Sequence, residues 1–335
     1  MTDQPFDALL IVAFGGPEGM DDVIPFLENV LRGRNVPRQR LLAVAHHYEL
    51  FDGVSPLNAQ NRALAEALRQ ELAGHDLHLP IYLGNRNWHP FLADTLRQMG
   101  QDGVKNALAF FTSAYSSYSG CRQYRENIAA AQAEVGPTAP QVHKLRAFYN
   151  HPGFIEPNIE YLQTALAQLP PERRAKAHVA FTAHSIPLDM AKNCAYEAQL
   201  QDVAQLVAAG AGQTDWKLVY QSRSGSPHRP WLEPDICDHL QSLKAAGVDD
   251  VIIAPIGFIS DHMEVIYDLD TEARQLSQEI DINMIRTDTV GTHPRFVRMI
   301  RELIEERLTP EPVCLALGTY GPSHHACPAG CCLSD

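Results

Sequence analysis

Short apolar runs rich in β-branched and aromatic residues alternate along the chain with longer stretches whose apolar residues recur every three or four positions. That alternation predicts parallel α/β sheets covered by helices. The runs predict strands over residues 7–13, 80–84, 107–112 and 142–148, then over 178–183, 216–221, 250–256 and 282–286. Between most of them lie helical patterns. Leu64, Leu68 and Leu72 form one apolar stripe, and Leu200, Val203, Leu206 and Val207 form another. Four strands followed by four more predict an α/β fold of two similar doubly wound domains, with the boundary near residues 151–171.

A length of 335 residues is compatible with two modest cores or one large one. The formal net charge of −13 argues against nucleic acid, which needs clustered Lys and Arg, and against an anionic membrane surface. No apolar run reaches the roughly 20 residues that span a bilayer, so stable membrane insertion is not expected. Residues 1–7 lack the basic and apolar regions of a signal peptide, and a cytoplasmic enzyme is expected. Seven cysteines are unevenly placed, with Cys314, Cys327, Cys331 and Cys332 near the C-terminus. In a reducing compartment such crowding points to a metal more than to disulfides.

Open parallel sheets bind ligands beyond the carboxyl ends of their strands. That rule selects residues 14–19, 113–121, 184–187, 222–231 and 257–264. The last segment leads into Glu264, Asp268 and Glu272, which recur every four residues and form a carboxylate ridge on one helix face. Like charges at this spacing repel by a few tenths of a kcal/mol per pair, and a divalent cation would relieve them. A π-type turn would align the three better than a regular helix. Asp261-x-x-Glu264 also fits an acidic capping box, which leaves Asp268 and Glu272 unexplained. His184 closes the fifth strand. Taken alone, a strand-end His is more often a satisfied structural imidazole, but the acidic helix that starts at the same sheet edge favours a group that binds Fe²⁺ or accepts protons near neutral pH.

Two further features are legible from residue type alone. Phe14-Gly-Gly-Pro-Glu-Gly19 lacks the G-x-G-x-x-G spacing of a phosphate cradle, and Pro17 removes an N–H. Cys327-Pro-Ala-Gly-Cys331-Cys332 is a compact thiolate group one ligand short of a four-coordinate set. Zinc, an iron–sulfur centre and unliganded thiols all remain open on composition.

Phe181-Thr-Ala-His184-Ser-Ile-Pro187 and Ser260-Asp-His-Met-Glu264-Val-Ile-Tyr-Asp268 resemble the two signature regions of ferrochelatases. Tyr220-Gln-Ser-Arg223 with Pro230-Trp-Leu-Glu-Pro234, Leu10-Ile-Val-Ala-Phe-Gly-Gly-Pro17 and Gly53-Val-Ser-Pro-Leu-Asn58 resemble further family segments in matching order. The resemblance spans nearly the whole chain. It implies two four-stranded Rossmann-like domains, 1–155 and 156–308, with a cleft for the macrocycle and a tail, 309–335, joined to the first. It further implies that His184 and Glu264 face the porphyrin centre and handle substrate Fe²⁺ or protons. Asp268 and Glu272 would extend an outward carboxylate path. Some members hold a [2Fe–2S] cluster on three C-terminal cysteines and a distant one. Here those would be Cys327, Cys331, Cys332 and Cys121, with Cys314 in reserve.

Family members divide between protoporphyrin IX and coproporphyrin III. The second carries four carboxylates and needs more donors. Phe14, Arg32, Arg34, Tyr48, Ser55 and Tyr124 lie in segments that border the family's cleft, and each polar one also fits an ordinary surface position. Phe14 stands where some members carry Tyr, which removes an axial tyrosinate. Asp21, Asp22 and Glu28 leave no apolar lip on the early helix. The run from Ser116 to Arg125 resembles actinobacterial-type, coproporphyrin-using members, so coproporphyrin III is expected over protoporphyrin IX. A cobalt or nickel tetrapyrrole chelatase and a tetrapyrrole-binding protein are the more distant alternatives.

Overall fold

The computed structural model describes residues 5–33, 36–224 and 229–334. The chain gathers into two compact units. One comprises Met1–Thr112, Gln123–Leu145 and Ile304–Pro310; the other comprises Ser113–Arg122, Arg146–Leu303 and Glu311–Asp335.

In the first unit β1 (Ala8–Ala13), β2 (Ile81–Asn85), β3 (Asn106–Phe111) and β4 (Gln141–Lys144) form a parallel sheet in the order β2-β1-β3-β4. Every residue of β1 is buried, because a central parallel strand is covered on both faces. The Leu64, Leu68 and Leu72 stripe is buried on the helix Leu57–Ala73. Leu92, Leu96 and Met99 of the helix Leu92–Gln101 join Leu10 and Val12 in one core. β4 stops at Lys144, short of residue 148. The chain turns away at Arg146, whose buried guanidinium donates to the Leu315 carbonyl at 2.8 Å.

The second unit repeats the plan. β5 (His178–His184), β6 (Trp216–Gln221), β7 (Asp250–Ala254) and β8 (Asn283–Arg286) form a parallel sheet in the order β6-β5-β7-β8. The expected α/β class with two four-stranded parallel sheets is what the described residues form. β7 ends at Ala254, not at residue 256, since Pro255 has no N–H to donate and Ile256 folds back onto the Ala254 carbonyl at 2.9 Å. This strand order creates a switch point. The chain leaves β5 for β6 on one side and returns to β7 on the other, and ligands of open sheets bind where neighbouring connections part in this way. His184 closes β5, and the chain leading to Glu264 leaves β7. Among the described residues, no helix is long and apolar enough to cross a membrane.

Candidate functional site

The loop after β7 reaches His184 because Gly257 lets it lie against β5. A Cβ there would sit 2.5 Å from the Cα of Ala183, and the Gly257 N–H donates to the Thr182 carbonyl at 2.9 Å. The loop then enters the helix Met263–Tyr267. Asp261 does not cap it. His262 is the N-cap, and its Nδ1 accepts from the Glu264 N–H at 3.2 Å. Asp261 instead accepts from Arg286 of β8 at 3.1 Å. The side chain of Glu264 is therefore not spent on a cap.

That carboxylate points back to the sheet. Its Oε1 lies 3.5 Å from Nε2 of His184. The other ring nitrogen, Nδ1, bonds the Ser185 carbonyl, which assigns its proton there and turns Nε2 outward. Tyr196 donates to the His184 carbonyl at 3.0 Å and steadies the strand end. Burial pulls the His184 pKa down, yet Glu264 outweighs it and holds the imidazole up at about 9. Burial likewise pushes Glu264 up, and His184 reverses this to hold the carboxylate down at about 2. The two side chains keep 30% and 49% of their exposure, so solvent screens the pair.

The backbone then widens into a π-helical turn over Asp268–Ala273 before the helix Arg274–Glu279. Asp268 opens that turn and Glu272 lies within it, and both Glu264 and Glu272 are near enough for their charges to act on Asp268. Asp268 accepts hydrogen bonds from the Ser222 hydroxyl and, at 3.4 Å, from Gln221, whose amide also donates to the Glu264 carbonyl at 2.8 Å. Burial, opposed by the Ser222 bond and reinforced by Glu264 and Glu272, raises Asp268 to about 7. Glu272 is also raised, by burial and then by Asp235. Arg286 anchors the turn through Asp270 at 2.7 Å. Of the five acids here, Arg286 pairs with two, Asp261 and Asp270. Glu264, Asp268 and Glu272 make the open row. Such a row can take up a divalent cation or pass protons outward.

The cysteines gather elsewhere in the same unit. Sγ of Cys331 and Cys332 are 3.4 Å apart, and donor atoms of His324, Cys327 and Cys331 lie within 4.8 Å of one another. Burial, then Cys331, pushes the Cys332 thiol up to about 12. Cys121 is buried in a π-helical turn, Tyr118–Arg122. Its neighbour Arg122 donates to the carbonyls of Ala329 at 2.8 Å and Cys331 at 3.1 Å, which ties that turn to the cysteine loop. Cys314 is set apart, 3.6 Å from His325. Burial raises the Cys194 thiol, between two helices, and the nearby Cys331 adds to that.

Residues 6–308 match the model of the ferrochelatase family. The chain belongs to that family. It is 54% identical to a coproporphyrin III ferrochelatase from Streptomyces coelicolor, covering 98% of this chain and 94% of that protein. It is 56% identical to a ferrochelatase from Rhodopirellula baltica over the same shares. Among solved structures, SirB from Bacillus subtilis with Fe³⁺ shares the fold at a TM-score of 0.56 and 11% identity, covering 91% of this chain and 99% of that one.

In the first unit of this ferrochelatase-family chain, three of the porphyrin candidates, Phe14, Tyr48 and Tyr124, flank two residues that the sequence did not single out, Phe26 and Arg86. The Phe26 ring lies 6.1 Å from Phe14 and 6.2 Å from Tyr48. The Arg86 guanidinium stands 5.6 Å over Phe14 and 4.4 Å over Tyr124. Tyr48, Tyr124 and Ser55 are buried, and Phe14 and Arg32 are exposed, Arg32 donating to Asn29. Arg34 lies outside the described residues. Gly16 explains the Gly-Gly run without phosphate, since a Cβ there would sit 2.7 Å from that of Ser55.

Several residues of the site were given no role by the sequence. Ser222 lies in the left-handed region at φ 62, an uncommon state for Ser that aims its hydroxyl at Asp268. Gln221 and Gly257 lie in segments the sequence singled out but were given no role there, and Tyr196, Arg86 and Arg286 carry no local signature. Of these last three, only Arg286 could have drawn attention, by its strand-end position.

Proposed function

We propose that the protein inserts Fe²⁺ into coproporphyrin III with release of two pyrrole protons, giving iron coproporphyrin in haem biosynthesis. The observation that carries this reading is the His184–Glu264 pair at the switch point of the second sheet, 3.5 Å apart, with the open acids Asp268 and Glu272 behind it. A dication enters the macrocycle and two protons leave, so the chemistry needs one group that takes metal and one that takes protons. Glu264, held ionised, is suited to meet the cation. His184 starts as imidazolium at neutral pH and becomes a metal ligand or proton acceptor once it has passed on its proton. Asp268, poised at about 7, can exchange that proton outward past Glu272. Phe14, Arg32, Tyr48, Ser55 and Tyr124, and Arg34 beyond the described residues, are assigned to the porphyrin. Arg86, over two of those rings, is added as a cation suited to a substrate carboxylate.

Support for coproporphyrin comes from the Streptomyces coelicolor relative. Anaerobic turnover of Fe²⁺ with each porphyrin tests the choice. Faster metallation of coproporphyrin III is expected, and a preference for protoporphyrin IX would overturn it.

The same reading assigns Cys121, Cys327, Cys331 and Cys332 to a [2Fe–2S] cluster. The thiols fit: two are 3.4 Å apart, a third is beside them, and Arg122 ties the Cys121 turn to their loop. Such a group, when bound, can accept an electron and cross-link the tail. Iron, sulfide and visible absorbance in anaerobically purified protein test it. We assign the reaction to the cytoplasm, a reading that the acidic composition and the unpaired cysteine thiols support.

A further inference from the structure

Residues 113–122 follow β3 in the chain yet belong to the second unit, and they carry a tyrosine to which no role has fallen so far. Tyr115 is buried. Its ring stacks on Tyr149 at 6.1 Å and meets Phe154 edge-on at 6.2 Å, so packing fixes its direction. The backbone beside it is clamped as well. Gln199 accepts from the Ser116 N–H at 2.8 Å and donates to the Ser116 hydroxyl at 3.0 Å. Gln199 lies on the helix Tyr196–Gly210, three residues after Tyr196.

A tyrosine held this firmly presents its hydroxyl at one fixed point. That hydroxyl donates to the carbonyl of Ile256 at 2.8 Å. Ile256 is fully buried and precedes Gly257, at the root of the segment that runs from β7 to Glu264. A buried carbonyl stripped of its donor is costly, so the bond ties that root down. Burial, then Tyr196 and Tyr149, push the Tyr115 pKa far up, and the donor keeps its proton at working pH. Through its ring Tyr115 reaches the other member of the pair. It meets the Tyr196 ring edge-on at 5.9 Å, and Tyr196 donates to the His184 carbonyl at 3.0 Å. One side chain touches the supports of both Glu264 and His184.

We propose that Tyr115 is a positioning residue for iron insertion: its hydroxyl sets where the segment to Glu264 begins, and its ring sets Tyr196 against the His184 carbonyl. This rests on the reading that Fe²⁺ enters at His184 and Glu264. Tyr115 acts through the Ile256 carbonyl and Tyr196, so it governs the geometry of the pair and not the affinity for porphyrin. A misplacement of about 1 Å at a reacting centre costs on the order of 100-fold in rate, which makes such a clamp consequential.

Amide hydrogen exchange of the full-length protein, read by NMR, separates the two arms. Tyr115→Phe keeps the ring and loses the hydroxyl. Exchange of the Gly257 N–H, which donates to the Thr182 carbonyl, and of the Phe258 N–H, which donates to the Pro255 carbonyl, is expected to quicken on the order of 10-fold, the equivalent of one hydrogen bond. The Ser185 N–H, which donates to the Gln221 carbonyl beside His184, should exchange as in the wild type. Tyr115→Leu removes the ring too and should quicken all three, and Tyr196→Phe should quicken Ser185 alone. In Tyr115→Phe, kcat for Fe²⁺ insertion should fall on the order of 10-fold with the porphyrin Kd unchanged. A merely structural loss would lower the folded fraction and leave the rate per folded molecule intact. Wild-type exchange at Gly257 and Phe258 in Tyr115→Phe, or at Ser185 in Tyr115→Leu, would overturn the proposal. Quickened exchange with a wild-type kcat would overturn it where His184→Ala is inactive; where His184→Ala is active too, the insertion site itself is what fails.

Discussion

The carboxylate of Glu264 stands 3.5 Å from Nε2 of His184, and each holds the other in its charged form. The signs follow. His184, raised to about 9, contributes stability that is complete below its unfolded value of 6.5 and is lost as pH rises through 9. Glu264, lowered to about 2, contributes stability that is present above its unfolded 4.5 and is lost as pH falls towards 2. The pair is at full strength between about 4.5 and 6.5. In Glu264→Gln the His184 ring, followed by NMR, is expected to titrate well below 9. A midpoint still near 9 would show that some other group holds the proton.

Asp268 behaves oppositely. Its pKa of about 7 lies above its unfolded 3.8, so its ionisation costs stability as pH rises through 7. Asp268→Asn is expected to stabilise the fold by on the order of 2 kcal/mol at pH 8 and by little at pH 3, in denaturant titrations. The same variant should flatten the limb near pH 7 in the rate profile. Ser222→Ala removes a bond to the ionised form and should move that limb to higher pH. A limb that moves lower, or stays in Asp268→Asn, contradicts the relay.

Arg286 is a positioning residue. It is mostly buried, holding Asp270 at 2.7 Å and Asp261 at 3.1 Å, and so fixes both ends of the segment that carries Glu264. Arg286→Ala leaves two partly buried acids without it and should cost about 3 kcal/mol. Turnover should fall further than the folded fraction, with Arg286→Lys recovering part of both. Melting curves alongside kcat distinguish this from simple unfolding, in which the two would fall together.

Gly257→Ala should misplace the whole segment. The added Cβ meets the Ala183 backbone at 2.5 Å, and overpacking against backbone costs about 1–3 kcal/mol. Circular dichroism and Fe²⁺ turnover of the folded variant check it. Full activity would mean that the loop can shift without disturbing Glu264.

The strands and the helix stripes were legible because burial on both faces writes long apolar runs, as in β1, and one-sided burial writes a period, as in Leu64, Leu68 and Leu72. Strand ends were less so. β4 ends where Arg146 finds a carbonyl 169 residues away, which no local pattern encodes. The carboxylate row and its π-helical turn could be anticipated from spacing. The cap could not, since Asp261 has the better capping side chain and loses that role to His262 only because Arg286 claims it. Tertiary partners decided each of these, as they did the company of Asp268.

The central claim is that Fe²⁺ enters the porphyrin at His184 and Glu264. Anaerobic Fe²⁺ insertion into coproporphyrin III by His184→Ala and Glu264→Gln, each shown to be folded and to bind porphyrin, measures it directly. Loss on the order of 10²-fold or more in both variants is predicted, the usual scale for removing a group that handles protons in the reaction. Turnover near that of the wild type in either variant would contradict the account.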